Sequence, residues 1–456
     1  MSIGPLAVPG VNRWLEPLLA LAVAAGLGWA MLHLYLYHYL PQPYFYDPVD
    51  TWQDWFNTSN WAHDKGAYDS WQSIYPPLSF VLLKIFSTPG CAKLSGNELR
   101  TCDWLGVGAM HGFFILNAVL IALVYLKIDR RTALPRSVAL AVGFPMTYGL
   151  DRGNLVVVCF TMFLLAYGPL VRSARLKWLA AGLAINFKIY LIASIMPYVF
   201  KRRWLAFEGV LLATVGVYLI TYAIVGAGTP GQLLTNLGGF TSGYQAVNIL
   251  DLWYSMSYGP TLSLLGGDGF PVAAAIGSDL TERLTVALSL LIHFGQAMIL
   301  LAFVMTWLRP EAVPTLRLVT LGTALALITS EAGGYTTTMI LFGVFAEPWR
   351  GIGRKWAIVV AYILSIPSDI VFFKVPTLFS VRDSFLGGQP VLPDYGLAIG
   401  PFLRPGLIIS IAVALAAVTI WDVWRDIRLQ GWRGRRRFRH DLPVMVGPGT
   451  AIASPR

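Results

Sequence analysis

Apolar runs long enough to cross a bilayer recur along this chain, separated by short clusters of Lys and Arg. The clusters fall at Lys127 to Arg136, Arg172 to Lys177, Lys201 to Arg203, Arg309 to Arg317, Arg350 to Lys355 and Arg425 to His440. Inside a bilayer every backbone polar group has to be satisfied by the protein itself, and runs of this length do so as helices. Of 456 residues, 56% are hydrophobic and 13% charged, and mean hydropathy is +0.60, which excludes a soluble globular domain. The net charge of +10 sits in the clusters between the runs, as the positive-inside rule requires. It reports orientation, and nucleic acid is not a partner.

The expected fold is an all-α polytopic membrane protein of about ten to twelve transmembrane helices, with broken or re-entrant segments, extracytoplasmic loops and both termini cytoplasmic. The first run, roughly Leu15 to Tyr37, reads as a spanning helix and not as a cleaved signal. Residues 39–103 then stay outside, because the next full span, roughly Trp104 to Tyr125, must deliver Lys127 and Arg130 to the inside. The run Leu78 to Phe86 is too short to cross.

Ser137 to Leu150 and Leu155 to Val171 form a compressed hairpin around Asp151-Arg-Gly-Asn154. Trp178 to Phe200 carries basic residues at both ends, which predicts a hinge near Asn186 to Lys188. Further spans are expected at about 208–225, 284–307, 318–330, 335–345, 357–373 and 406–421. Segments 228–282 and 374–404 are outer loops, and Ala246 to Ser255 is amphipathic enough to lie along the membrane surface. The organisation expected is a core over 1–350, C-terminal helices over 351–424 and a basic tail over 425–456.

The wet, acidic, aromatic stretch after the first span is where chemistry is expected. Asp47, Asp50 and Asp54 alternate there with Tyr44, Tyr46, Trp52, Trp55 and Phe56. Rings stack on the apolar faces of sugars, and carboxylates accept hydroxyl hydrogen bonds or take a proton. Lys188 lies inside an apolar run, where a lysine costs roughly 2.5 to 3.5 kcal/mol unless paired, and a lipid phosphate is one such partner. Arg152, in a tight turn with Gly153, is placed to clamp a phosphate. Cys159 reads as a small core hydrophobe. Cys91 and Cys102 share one outer loop, either as a disulfide or as two free thiols.

Four features stand in order: the acidic first loop, the rigid corner Tyr75-Pro76-Pro77-Leu78, the segment Gly182-Leu-Ala-Ile-Asn-Phe-Lys-Ile-Tyr190 and a late two-span turn, Thr329-Ser-Glu-Ala-Gly-Gly-Tyr335. On these the chain resembles integral membrane glycosyltransferases of the GT-C class, closest to the polyprenyl-phosphate-mannose-dependent glycosyltransferase family 87. The likeness covers roughly residues 40 to 350. At the late turn that family tends to carry Ser-Pro and a His, whereas this chain has Ser330-Glu331 and no His.

The resemblance implies an inverting transferase of the plasma (inner) membrane with an extracytoplasmic active site. A sugar would move from a polyprenyl-phosphate donor to a glycan or glycolipid acceptor. Asp54 or Asp50, with Asp47 beside them, would take the acceptor proton, and Lys188 and Arg152 would hold the donor phosphate. Tyr75, Trp55, Asn57 and Glu331 would contact substrate. No cofactor is assigned; a divalent metal on the carboxylates stays open, although no strict Asp-x-Asp pair occurs. The chain is expected to be a monomer with membrane lipid around it. Two alternatives remain: a lipid-linked polysaccharide polymerase or ligase, and a transporter of a lipid or small solute.

Overall fold

Helix α1 (Asn12–Tyr37) is apolar on nearly every face and carries exposed Leu18, Leu21, Leu32 and Leu36, a surface that only lipid can cover favourably. In the computed structural model, the described residues are 12–432 except 46, 65, 244–251, 253–254, 267–271, 330–332 and 375–379. The loop after α1 holds α2 (Gln53–His63), α3 (Pro77–Ile85) and α4 (Gly96–Cys102). There follow α5 (Trp104–Ile128), α6 (Ala133–Ala141), α7 (Phe144–Asp151), α8 (Val156–Tyr167) and α9 (Ala174–Phe187). Next come α10 (Met196–Phe200), α11 (Trp204–Val225), α12 (Pro230–Gly243), α13 (Gly259–Gly266), α14 (Val272–Ile276) and α15 (Ser278–Leu308). The last helices are α16 (Thr315–Thr329), α17 (Thr337–Phe345), α18 (Gly351–Ser365) and α19 (Gly400–Gln430).

Between α18 and α19 run four short strands: β1 (Val371–Lys374), β2 (Arg382–Asp383), β3 (Pro390–Val391) and β4 (Gly396–Ala398). They form two antiparallel pairs, β1 with β4 and β2 with β3.

Among the described residues, five helices (α1, α5, α11, α15 and α19) are long and apolar enough to cross a membrane. The chain is an all-α membrane protein. Several segments expected to span are shorter. The run 137–150 is cut into α6 and α7 at Val142 and Gly143, where Gly143 is extended and Pro145 sits in the first turn of α7; a Cβ at Gly143 would collide with the Ala139 carbonyl. The run 178–200 breaks at Lys188, which is extended (φ −139°, ψ 99°) between α9 and a 3₁₀ turn over Ile189–Ile195, the hinge that the charge pattern predicts. All nine residues of α17 are buried. A short apolar helix buried like α17 is solvated by protein on all sides and need not reach across the bilayer.

Residues of four basic clusters, 127–136, 201–203, 309–317 and 350–355, are tied together at one end of the body. Arg136 binds Glu16 of α1, and Arg317 binds Glu347 and Asp422. Arg309 faces Asp426, and Lys201 donates to the Val313 carbonyl. The acidic loop docks at the other end of α5, some 37 Å away at 1.5 Å per residue. Cys91 and Cys102 are joined in a disulfide. Beside it Asp103 caps α5, its Oδ1 accepting from Gly106 N at 3.0 Å and from the Thr88 hydroxyl at 2.7 Å. The amphipathic stretch Ala246 to Ser255 lies largely outside the described residues, as does the basic tail from Arg433 onward.

Candidate functional site

Backbone pairing brings two distant turns together. Trp52 N–H donates to the Asp151 carbonyl at 2.7 Å and Asp54 N–H to the Arg152 carbonyl at 3.0 Å, so the start of α2 is laid on the turn after α7. Gly153 makes this approach possible. Its φ is +63°, and a Cβ there would lie 2.8 Å from the Trp52 carbonyl oxygen and 2.9 Å from the Trp52 Cα. Gly153→Ala is expected to cost at least about 1–3 kcal/mol through φ strain alone and to separate the two turns; unchanged thermal unfolding of that variant would count against this packing.

The side chains then converge. Arg152 Nη2 donates to Asp54 Oδ1 at 2.8 Å, and Asn154 Nδ2 donates to Asp54 Oδ2 at 2.7 Å. Asn154 Nδ2 also approaches the Tyr75 hydroxyl at 3.3 Å, to which Lys188 Nζ donates at 3.5 Å. Tyr75 is delivered by the double-proline corner that starts α3, and Lys188 by the break after α9. Since the Tyr75 hydroxyl accepts from both neighbours, its own proton is left to donate. Lys188 lies 4.7 Å from the centre of the Tyr75 ring and 5.5 Å from that of Tyr335. Among the described residues no carboxylate pairs with Lys188. Tyr335 stacks on Tyr148, and Tyr148 on Phe144, which makes an aromatic wall beside the ammonium.

Arg152 does not stand free for a phosphate. Its guanidinium is committed to Asp54, approaches Asp50 Oδ2 at 3.7 Å and lies 4.0 Å over the Phe45 ring. Burial holds the Asp50 carboxyl above its ordinary value, Asp47 and Asp54 adding to the rise and Arg152 opposing it. Asp47 caps the turn Pro48–Asp50 through Val49 N at 3.2 Å and faces Arg382. Trp55 is fully buried beneath Gly106 of α5, so it supports Asp54 and presents no surface to a substrate. Asn57 is exposed and lies against Gly96 of α4. Glu331 lies outside the described residues. Asn154 and Tyr335 join the cluster without having been assigned to it from sequence, though both belong to quoted motifs.

Among the described residues no group of three or more His, Cys, Asp or Glu side chains gathers to hold a metal ion. Both Asp54 oxygens are engaged by Arg152 and Asn154, an arrangement that does not fit a divalent ion.

Behind the cluster, burial raises the Asp151 carboxyl to about 7, with Asp54 and Asp50 adding to the rise while Arg152 and the Phe45 backbone oppose it. The folded state therefore keeps a proton that the unfolded chain, near 3.8, has lost. Stability falls as pH rises from 3.8 to about 7 and is level above that. Asp151→Asn is expected to flatten this window and to raise the unfolding temperature above pH 7. The same slope of unfolding temperature with pH in both proteins would remove Asp151 as its source.

The chain matches no family model, no curated protein and no solved structure. Class is therefore set by fold and chemistry: a helical membrane protein with a carboxylate, an arginine, an amide, a tyrosine and a lysine on one hydrogen-bonded path.

Proposed function

We propose that the chain is a membrane glycosyltransferase that moves a sugar from a polyprenyl-phosphate donor to a glycan or glycolipid acceptor by inversion, on the extracytoplasmic side of the plasma (inner) membrane, within a GT-C-like arrangement of helices. The observation that carries this reading is the path Asp54–Asn154–Tyr75–Lys188, which sets a proton acceptor and an anion-seeking cation two hydrogen-bonded groups apart. The acceptor hydroxyl oxygen forms a bond to the anomeric carbon, the bond from that carbon to the phosphate oxygen breaks, and the phosphate leaves with the electron pair. Asp54 takes the hydroxyl proton. Lys188 and the Tyr75 proton meet the charge that develops on the leaving phosphate, where a fixed cation lowers the barrier most. The fixed cation for the carboxylates is Arg152, which orients Asp54. Tyr75 and Tyr335, each only partly buried, offer rings to the sugar or to the first isoprene units.

The test is transfer by the full-length protein in lipid from a panel of radiolabelled polyprenyl-phosphate sugars to glycolipid acceptors. Labelled product with at least one donor supports the reading. No transfer with any donor, together with solute or lipid flux in proteoliposomes, would replace it by the transporter; product only when both substrates are lipid-linked glycans would replace it by the polymerase.

A further inference from the structure

Helix α2 carries an accessible line that begins at Asp54. Residues seven apart on a helix return to nearly the same face, so Trp61 stands in line with Asp54, about 10 Å along the axis at 1.5 Å per residue. Exposed Asn57 falls between them, three residues from one and four from the other. Trp55, Phe56, Thr58 and Ser59 are buried, so over its first two turns α2 is reached from solvent along this line.

The line ends on a fixed aromatic surface. Trp71 stacks on Trp61, with ring centroids 5.6 Å apart and planes 18° from parallel, and Trp71 Nε1 donates to Asp64 Oδ2 at 2.9 Å. The loop that holds Trp71 closes on itself: the N–H groups of Ser70 and Trp71 donate to the Gly66 carbonyl at 2.9 and 3.0 Å. It is also docked on α12, where Gln232 Nε2 donates to Asp69 Oδ1 at 2.9 Å and Asn236 Nδ2 to the carbonyls of Tyr68 and Ser73 at 2.9 and 3.1 Å. Trp71 is thus held from three directions while 48% of it stays exposed. A ring already fixed in place can be stacked upon with little further loss of entropy.

The surroundings of Trp71 select a hydroxylated ligand over lipid. Asp69, Ser70 and Gln72 beside it are all exposed. A tryptophan of the lipid belt is placed differently: Trp104, 72% exposed, opens the long apolar helix α5. The apolar C–H face of a sugar ring stacks on an indole, and its hydroxyls exchange hydrogen bonds with carboxylate, hydroxyl and amide groups at the rim. An acyl chain laid on the same spot would desolvate those groups and give nothing back.

We propose that Trp61 and Trp71 form a platform for a sugar ring of the acceptor glycan, set back along α2 from the ring whose hydroxyl Asp54 deprotonates, so that the acceptor is an oligosaccharide chain and not a single sugar. That the bound glycan is the acceptor rests on the glycosyltransferase reading; that a sugar binds to this pair does not.

The test uses the full-length protein in lipid nanodiscs, titrated calorimetrically with mannose, arabinose and glucose oligosaccharides of increasing length. At least one series is expected to bind, and more tightly as the chain lengthens. Trp71→Ala is expected to weaken that binding about tenfold, Trp71→Phe, which keeps a ring, to retain most of it, and Trp104→Ala to leave it unchanged. Binding by no series, or binding indifferent to Trp71→Ala, would overturn the platform, as would an equal loss in Trp104→Ala. In the transfer assay Trp71→Ala is expected to raise KM for long acceptors with kcat unchanged and to leave the shortest acceptor unaffected. Transfer in which Trp71→Ala changes KM at no acceptor length would overturn the acceptor assignment and leave the transferase standing. Glycan binding that depends on Trp71 in a protein that transfers from no donor would do the opposite, upholding the platform and removing the transferase.

Discussion

Arg136→Met is expected to destabilise the protein by about 3–5 kcal/mol, the cost of stranding a buried charge, seen as an apparent Tm lower by roughly 3–5 °C. Arg136 grips Glu16 through two bonds of 2.8 and 3.0 Å, and the two side chains are 3% and 1% exposed. The same guanidinium donates to the carbonyls of Phe345 and Glu347, where α17 ends. Its loss leaves Glu16, among the described residues, with the Tyr362 hydroxyl at 3.1 Å, and takes that donor from two carbonyls at the end of a helix. The double variant Glu16→Gln with Arg136→Met removes both charges, and replacing a buried pair together is often close to neutral. It is therefore expected to recover most of the loss. Equal unfolding temperatures for the single and double variants would mean that Arg136 contributes by packing and not by charge.

Those arginines show where sequence is legible and where it is not. Clusters 127–136, 309–317 and 350–355 announce one face of the bilayer through composition alone, and they do collect at one end of the body. That Arg136, Arg317 and Arg354 turn inward cannot be read locally. Glu16 is 120 residues from Arg136, and Asp422 is 105 from Arg317, so the pairing exists only once the helices pack. The hinge at Lys188 was legible because two basic flanks contradict a simple crossing. The break at Gly143 was not, since a Gly-Phe-Pro step inside an apolar run reads as a kink as easily as an end. In the acidic loop, alternation of rings and carboxylates singled out the segment that docks on the 151–154 turn but could not rank its members. Asp54 turns toward Arg152 while Trp55, one residue on, turns into the core, a difference fixed by where α2 lands on the 151–154 turn. Asn154 carried no signal of its own beyond its place in that turn.

If the Asp54 cluster transfers sugars as proposed, Asp54→Asn is expected to lower the transfer rate about 10²- to 10⁴-fold, the range of a positioned general base. The amide keeps the size of the side chain, and its carbonyl still accepts from Asn154 or Arg152, so folding should survive. Asp50→Asn is expected to cost far less, because Asp50 is 40% exposed and stands 3.7 Å from Arg152 without a close contact. Lys188→Met separates the two halves of the chemistry. If Lys188 meets only the charge of the leaving group, kcat falls with KM for the donor unchanged; if it also grips the donor phosphate in the ground state, KM rises as well. Arg152→Lys keeps a charge near Asp54 but loses the planar fork that reaches Asp50 and Asp54 together. It should therefore lower kcat without weakening donor binding, whereas a residue on the phosphate would show the reverse. Activity indifferent to Asp54→Asn in a folded, donor-binding protein would move the base elsewhere, and Asp50, whose carboxyl burial already makes more basic, is where it would move.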